Sequence, residues 1–247
     1  MCVKRVPAPG ARIVLTDDGQ AIDATLLSFT VSPHEECAVE EAVQIAETHD
    51  GTVTVLTLGP PEAEEQLRSS LAVGAHEAVL IPTDGSDWDP ISTSSAIASA
   101  IRELETEGEF DLILFGNESA DSGGYQVGIR VAHALGRPVV SGIKGVEVEE
   151  GTVTLRRETA GGSEIYRLPL PAVIAVREGI NLPRYPTLKG RLNAKKVELR
   201  LIEMEKAGSG QQMVRLVTPA QEVSATTILA DAAAVVDLLE ELQVVRT

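Results

Sequence analysis

Cysteine, aromatic residues and basic residues are all scarce in this chain of 247 residues. Its two cysteines, Cys2 and Cys37, form neither a CxxC pair nor a disulfide framework, so a reducing, cytoplasmic location is expected. Three Phe, three Tyr and one Trp leave little surface for base stacking, and a net charge of -16 opposes phosphate binding, which argues against a nucleic-acid partner. Residues 1–7 lack the apolar core of a secretory signal, and no apolar run approaches the length of about 18 residues that a membrane helix needs.

Convincing catalytic or metal-binding patterns are also lacking. No metal-ligand spacing connects the four histidines, which are His34, His49, His76 and His133. Neither Ser119 nor Ser122 sits in a GxSxG elbow, and neither cysteine is paired with a histidine. We therefore expect no metal site and no catalytic residue in this chain.

Residues 52–140 alternate between apolar strand-like runs and helical segments. The predicted strands are 52–58, 78–81 and 111–115, and the predicted helices are 61–73 and 91–107, the second with Asp89 as its N-cap. An earlier helix is predicted to begin with a capping box at Ser32 and to end near Ala46, and its first acids, Glu35, Glu36, Glu40 and Glu41, are interpreted as favouring the helix dipole. This order is typical of a doubly wound α/β fold, in which a mostly parallel sheet binds ligands at the carboxyl ends of its strands.

Short strands follow residue 136 and predict an antiparallel extension of the sheet. They are expected at 146–149, 152–157, 164–168 and 172–176, with a further strand at 197–202. Near the start of the chain, segments 12–15 and 20–22 flank an Asp18-Gly19 turn and predict a hairpin.

The last 43 residues are predicted to form a separate arm. We expect a nucleotide-binding-type α/β domain over 1–204, and over 205–247 a flexible linker, through about residue 221, followed by a helix. That helix has one apolar face, formed by Ile228, Leu229, Ala232, Val235, Val236, Leu239 and Leu242. It either binds a partner or folds back on its own domain, and the pattern leaves both possibilities open.

A basic segment, residues 177–200, stands out from this acidic chain. It contains seven Lys or Arg residues against two acids. Pro183 and Pro186 favour an extended or turning backbone around Arg184 and Tyr185 rather than a helix. The segment is therefore predicted to be a presented loop that leads into a short basic helix and faces an anion or an acidic partner.

The loop 116–128 leaves a predicted strand and enters a predicted helix through Leu135. Its small residues and the free N–H groups of a helix start suit a phosphate, although it matches neither GxGxxG nor the Walker pattern. Phosphate binding and a plain strand-to-helix connection both remain open. Asp121 is interpreted either as a ligand of a ribose hydroxyl or as a helix cap.

Several segments together resemble the β subunit of electron transfer flavoproteins. They are Cys2–Val6, Ser32-Pro33 with 38–42, 71–75, and above all 181–190, which reads Asn-Leu-Pro-Arg-Tyr-Pro-Thr-Leu-Lys-Gly, with 194–196. The resemblance runs over nearly the whole chain and implies a Rossmann-like domain that binds adenine nucleotide. It also implies a heterodimer in which this subunit holds a structural AMP and an α subunit holds most of one FAD.

The resemblance implies an AMP pocket at thirteen positions. These are Cys2, Ser32, Pro33, His34, Glu35, Leu58, Gly116, Asn117, Asp121, Gly123, Gln126, Val127 and Gly128. Adenine is expected near the backbone of Cys2 and Leu58, and phosphate near the N–H groups at 126–128. The chain departs from the family at Asn117-Glu118, where members carry Lys-Gln, and at Asp121-Ser122-Gly123, where they carry a run of acids. Relatives also have several apolar residues before the position of Cys2, so the true start is expected upstream.

The resemblance further implies that the basic segment docks acyl-CoA dehydrogenases or similar flavin dehydrogenases, as in fatty acid β-oxidation. Ile180 would be an aliphatic anchor, with Asn181, Arg184, Tyr185, Lys189, Lys195 and Lys196 around it. The flavin would carry the redox chemistry. Two alternatives stay open, namely an electron-bifurcating relative with a second FAD in place of AMP, and a stand-alone nucleotide-binding domain of the stress-protein type.

Overall fold

The computed structural model describes residues 1–86, 88–208, 210–219 and 227–244. The chain divides into two compact units, Met1–Arg215 and Leu216–Thr247. Ser209, 220 and 221, which belong to the predicted linker, lie outside the described residues. Gly210 and Gln211 belong to the first unit, where their N–H groups donate to the Asp89 carboxylate at 2.7 and 3.0 Å.

The described residues of the first unit form ten strands and five α-helices. The strands are β1 (Val6–Pro7), β2 (Phe29–Thr30), β3 (Thr54–Gly59), β4 (Glu77–Pro82), β5 (Leu112–Gly116), β6 (Val139–Glu149), β7 (Thr152–Thr159), β8 (Gly162–Pro169), β9 (Ala172–Val176) and β10 (Leu199–Leu201). The helices are α1 (Pro33–His49), α2 (Glu64–Ala72), which follows a 3-10 turn at Pro61–Ala63, α3 (Pro90–Leu104), α4 (Val127–Leu135) and α5 (Leu188–Ala194).

The N-terminal segment lies at the centre of the main sheet. Cys2 forms parallel bridges to Leu56 of β3 and to Phe115 of β5, and so joins the two halves of the sheet. The resulting order is β10, β4, β3, the Cys2 segment, β5, β9, β6, β7 and β8. The chain moves outward to β3 and β4 on one side and then crosses to β5 on the other. The topological switch point therefore lies between Cys2 and β5.

Helices cover both faces of the sheet, as the sequence predicts. On one face α1, α2 and α5 pack over a core that includes Val43, Leu67 and Ala194. On the other face α3 and α4 cover a second core that includes Ile97 and Val131. The doubly wound α/β fold with a mostly parallel sheet is confirmed.

The predicted helix starts are also confirmed. The Glu35 carboxylate at the start of α1 accepts hydrogen bonds from the Ser32 N–H at 3.0 Å and from its hydroxyl at 2.7 Å, as part of the predicted capping box. Asp89 caps α3 by accepting from the Ser92 N–H at 2.8 Å. The first turn of α1 lies against the end of β5, where a Cβ on Gly116 would be 2.6 Å from Glu35 Cγ.

Three of the strand predictions need correction. The strand β6 begins at Val139 rather than 146, and its first half is parallel to β9. The strand β9 belongs not to the meander but to the parallel sheet, between β5 and β6, because its five residues are buried on both faces. The hairpin expected at 12–22 is reduced to one bridge between Leu15 and Ile22. Among the described residues, the antiparallel extension consists of β6, β7 and β8.

In the second unit, α6 spans Ala232–Glu241 and confirms the predicted C-terminal helix. Asp231 caps it by accepting from the Ala234 N–H at 3.0 Å. No residue of α6 is buried. Its role as a partner-binding arm stays a prediction. No described helix in either unit combines the length and apolar character needed to cross a membrane.

The short helix α5, which carries part of the basic segment, is packed closely on α2. The Arg68 guanidinium donates to the backbone oxygens of Ala194 and Val197, which holds the end of α5 and the chain after it. A Cβ on Gly190 would lie 2.3 Å from the backbone oxygen of Ala72. Glycine at this position therefore allows the two helices to approach.

We predict that Gly190→Ala lowers the free energy of unfolding by about 1–3 kcal/mol, because the added methyl group must push α5 away from α2. Helix propensity alone would make Gly190→Ala more stable by about 1 kcal/mol. A lower free energy of unfolding would therefore show that the close packing dominates. Urea denaturation measures it. The control is Gly161→Ala, whose Cβ would meet nothing within 4 Å. An unchanged or raised stability of Gly190→Ala would contradict the close packing.

Candidate functional site

The carboxyl end of β5 meets the first turn of α1 at the switch point. A Cβ on Gly116 would lie 2.6 Å from Glu35 Cγ and 3.2 Å from His34 Cβ. The absence of a side chain at Gly116 therefore lets α1 approach the strand end. Since ligands of doubly wound sheets bind at such a point, this junction marks the candidate site.

A cavity of about 480 Å³ opens beside this junction, and we call it the switch-point cavity. Its lining comes from the N-terminal region, the start of α1, the loop after β5 and the start of the basic segment. These residues are Pro9, Pro33, His34, Glu118, Ser119, Ala120, Asp121, Ser122, Gly123 and Glu178. Another cavity, of about 380 Å³, lies at the opposite, amino ends of the strands beside Met1, Thr54 and Leu112.

The switch-point cavity is rich in charged side chains. The Lys4 Nζ lies 2.6 Å from the Asp121 carboxylate. Burial of Asp121 opposes its ionisation, but the charge of Lys4 and the hydrogen bond from it lower the pKa of Asp121 overall. Asp121 does not cap α4, whose N-cap is Gln126, so the interpretation of Asp121 as a helix cap is wrong.

His34 connects three separate parts of the site. Its Nδ1 accepts a hydrogen bond from the Glu178 N–H at 2.8 Å, and its Nε2 lies 3.2 Å from a Glu118 carboxylate oxygen. Because Nδ1 is an acceptor here, the proton of a neutral ring resides on Nε2, where it faces Glu118. The imidazole thus bridges α1, the loop after β5 and the basic segment.

The loop after β5 ends at the start of α4. Tyr125 has a left-handed backbone, with φ of 54°, and no side chain caps the helix at Gln126. The first N–H groups of a helix have no partner within the helix, so those at Val127 and Gly128 are available to an anion. A Cβ on Gly128 would lie 3.1 Å from the Phe115 ring, which shows how closely α4 is packed on β5.

The predicted pocket residues fall into three groups. Pro33, His34, Asp121 and Gly123 line the switch-point cavity. Ser32, Glu35 and Gly116 lie directly behind it at the α1 junction, and the Asn117 N–H pairs with the Val176 oxygen at 2.8 Å. Cys2, Leu58, Gln126, Val127 and Gly128 are not part of its lining.

Cys2 lies inside the sheet rather than at the cavity. Its side chain is buried, and its N–H donates to the Leu114 oxygen at 2.9 Å. Burial raises the pKa of the Cys2 thiol to about 11, so the group remains a neutral packed thiol. The residues that sequence reasoning missed include Glu118 and Glu178, which line the cavity, and Lys4, which pairs with the lining residue Asp121. Lys4 and Glu118 lie in segments that contain predicted pocket residues, namely Cys2–Val6 and the loop 116–128. Glu178 lies in the basic segment, which was predicted to bind a partner.

The basic segment is attached to α1 by two side chains. The Asn181 amide donates to the Cys37 oxygen at 3.0 Å and to the Glu41 carboxylate at 2.9 Å. The Arg184 guanidinium lies 2.9 Å from Glu40 and 2.7 Å from Glu47. Residues 182–187 are neither helix nor strand, as the two prolines predict. The loop is thus held in one conformation by a helix that also forms the wall of the cavity.

These observations define a doubly wound α/β protein with a polar cavity at its switch point. A model of the electron transfer flavoprotein domain matches residues 24–207, a range that includes α1, the loop after β5 and the basic segment. The chain therefore belongs to the electron transfer flavoprotein family, which confirms the resemblance found in its sequence.

The curated relatives are similar over most of the chain. The electron transfer flavoprotein subunit beta of Mycobacterium tuberculosis (strain ATCC 25618 / H37Rv) is 37% identical over 231 residues, 91% of this chain and 86% of that protein. The subunit of the same name from Bacillus subtilis (strain 168) is 37% identical over 72% of this chain and 68% of that protein. Protein FixA of Rhizobium meliloti (strain 1021) is 34% identical over 81% of this chain and 70% of its own.

Glu35 predicts a specific pH dependence of stability. Burial raises the pKa of its carboxyl from 4.5 to about 7, so folding favours the protonated form. Stability from this group is fully present below about pH 4.5 and is lost as the pH rises through about 7. We predict that Glu35→Gln, which keeps an acceptor oxygen for Ser32, abolishes this pH dependence. Between about pH 4.5 and pH 7, the wild type should therefore lose on the order of 3 kcal/mol of unfolding free energy that the variant keeps. Urea denaturation of both proteins across this range measures it, and parallel stability profiles would contradict the prediction.

The bridge through His34 predicts a local change in backbone protection. His34→Ala removes the acceptor of the Glu178 N–H, so exchange of that amide is expected to speed up by about tenfold or more. His34→Asn places an oxygen near the position of Nδ1 and should restore protection. Hydrogen exchange measured by NMR tests this. The Arg177 amide, which donates to the Ile143 oxygen at 2.9 Å, is the internal control. Equal exchange at Glu178 in all three proteins would disprove the bridge.

Proposed function

We propose that this chain is the β subunit of a heterodimeric electron transfer flavoprotein and that it binds a structural AMP in the switch-point cavity. In this proposal it docks flavin dehydrogenases, including acyl-CoA dehydrogenases of fatty acid β-oxidation, and electrons pass to an FAD held mainly by an α subunit. The chain is then an electron-carrier subunit without catalytic residues of its own. The observation that carries the proposal is the placement of the switch-point cavity within a fold of this family.

The size and chemistry of the cavity fit an adenine nucleotide. Its volume of about 480 Å³ lies within the range of about 300–1,000 Å³ that is usual for small-molecule sites. Carboxylates such as Asp121 and Glu118 accept hydrogen bonds from ribose hydroxyls but repel phosphate. The unpaired N–H groups at the start of α4 suit the phosphate. The residues present therefore fit a nucleotide whose sugar lies toward the acids and whose phosphate lies toward α4.

The protein residues in this proposal bind and orient, and they transfer no proton. The flavin of the heterodimer supplies the electron chemistry when it is bound. Lys4 holds Asp121 ionised, so that its carboxylate remains an acceptor. His34 fixes the loop of the cavity relative to the basic segment. The same helix that carries His34 also holds that segment through Glu40 and Glu41.

Two alternative functions differ in the ligand of this cavity or in the need for a partner. In an electron-bifurcating relative, a second FAD would replace AMP and this subunit would meet NADH. A stand-alone nucleotide-binding domain would need no partner, but it leaves the exposed basic segment without a role. The relatives named as β subunits cover most of the chain, which supports a subunit of a heterodimer over the stand-alone domain.

The bound ligands decide between these functions. The chain is co-expressed with its companion α subunit, the complex is denatured, and released nucleotides are identified by chromatography and mass spectrometry. We predict one FAD and one AMP per heterodimer. Two FAD molecules would favour the bifurcating relative, and a colourless monomer with AMP or ATP would favour the stand-alone domain.

A matched pair of glycine variants tests whether AMP binds in this cavity. Gly123 lies on the cavity wall with φ of 53°, and Gly151 lies in the turn between β6 and β7 with φ of 72°. Valine is strained at both positions, but only at Gly123 does it distort and narrow the cavity. We predict that Gly123→Val loses most of its AMP while Gly151→Val retains it. Equal AMP content in both variants would place the nucleotide elsewhere.

A further inference from the structure

The chain that follows β10 lies along the first unit, although its composition predicts a flexible linker. Met204 packs against the second core, but residues 205–208 and 210–212 are exposed. Apolar burial therefore does not hold this stretch in place. Its attachment comes from polar contacts at three points, and we call the attached residues, 206–208 and 210–214, the strap. At the first point, the Lys206 Nζ lies 5.9 Å from the centroid of the Trp88 ring.

Asp89 makes the central contact, and its two carboxylate oxygens have separate partners. Oδ1 accepts from the Ser92 N–H at 2.8 Å and from the Ser92 hydroxyl at 2.7 Å, which caps α3. Oδ2 accepts from the N–H groups of Gly210 and Gln211 at 2.7 and 3.0 Å. One side chain thus closes the start of a helix and holds the middle of the strap.

The contact at Asp89 is buried and charged. Asp89 is only 7% exposed, and a Cβ on Gly210 would lie 2.4 Å from Ile91 Cδ1, so the strap lies directly on the start of α3. Hydrogen bonds from Ser92, and further ones from Gly210 and Gln211, lower the pKa of Asp89 to about 2. The carboxylate is therefore ionised at neutral pH, and hydrogen bonds to an ionised acceptor are roughly twice as strong as those between neutral groups.

The far end of the strap is attached near the beginning of the chain. The Gln20 side-chain amide donates to the Val214 oxygen at 3.0 Å. Gln20 directly follows a turn in which the Gly19 N–H donates to the Thr16 oxygen at 2.8 Å. The first compact unit ends at Arg215, the next residue after Val214. The place at which the chain leaves the first unit is therefore fixed beside this turn.

We propose that Asp89 is a clasp that keeps the strap on the first unit and so fixes the point from which the rest of the predicted partner-binding arm starts. The inference rests on the proposed function, which supplies the α subunit as the partner of that arm, and it gives Asp89 a positioning role in assembly. Because the strap is already ordered in the free chain, its conformational entropy is not lost again when the subunits associate.

Hydrogen exchange of the full chain, measured by NMR, tests the clasp itself. Asp89→Ser keeps a preferred N-cap residue for α3, but its short, uncharged side chain does not serve helix and strap together. We predict that the Gly210 and Gln211 amides exchange at least about tenfold faster in this variant, while the amides of α3 from Thr93 onward keep their rates. The control is Ser92→Ala, which removes a donor to Oδ1 only and should leave both strap amides protected. Unprotected strap amides in the wild type would overturn the inference.

The affinity for the separately purified α subunit, measured by calorimetry, tests the positioning role. Asp89→Ser is expected to raise the Kd of the heterodimer by about fivefold, because the strap must then be ordered on assembly. Gln20→Ala releases the far end of the strap without touching α3 and should also raise the Kd. The Kd of Ser92→Ala should stay within about twofold of the wild-type value.

The outcomes separate the inference from the proposed function. If the strap opens in Asp89→Ser and the Kd is unchanged or lower, Asp89 does not position the arm, whereas the proposed function stands. If the Kd rises only in Asp89→Ser and the amides of α3 also exchange faster, the effect is loss of a helix cap and the inference is overturned. If the wild-type chain does not bind the α subunit, both proposals fail together.

Discussion

The packing of the first turn of α1 against the end of β5 is the contact on which the rest of the site depends. Gly116 permits it, since a Cβ there would lie 2.6 Å from Glu35 Cγ. With the turn in this position, Ser32 and Glu35 are buried in their mutual hydrogen bonds and His34 reaches both Glu118 and Glu178. A single helix start thus sets the wall of the switch-point cavity and the beginning of the basic segment.

The later turns of α1 extend the same constraint to the surface that we propose for docking. Glu40 and Glu41 read in the sequence as carboxylates that favour a helix dipole, and that interpretation was incomplete. In the structure they hold Arg184 and Asn181, which lie 144 and 140 residues away along the chain. Although burial opposes ionisation of Glu40, hydrogen bonds from Arg184 lower its pKa overall. Long-range pairs of this kind leave no periodic signal, so the sequence shows the charges but not their partners.

What could be predicted from the sequence follows from local physical chemistry. Caps at Ser32 and Asp89, and the alternation of strands and helices, predict the doubly wound core because each signal lies within a few neighbouring residues. The parallel placement of β9 was missed, although its uninterrupted apolar run, Ala172–Val176, is typical of a strand buried on both faces. The cavity was predicted only in outline. Its loop is visible as a run of small residues, but Lys4 and Glu178 join it through tertiary packing alone.

The central claim is that the junction of α1 and β5 holds an adenine nucleotide, and NMR titration tests it most directly. AMP is added to the isotope-labelled, nucleotide-free β chain in its heterodimer while backbone amide shifts are followed. The account predicts saturable shifts concentrated at 118–123, at the start of α4 and at Glu178. Shifts confined to the other cavity, beside Met1, Thr54 and Leu112, or no saturable shift at all, would contradict it.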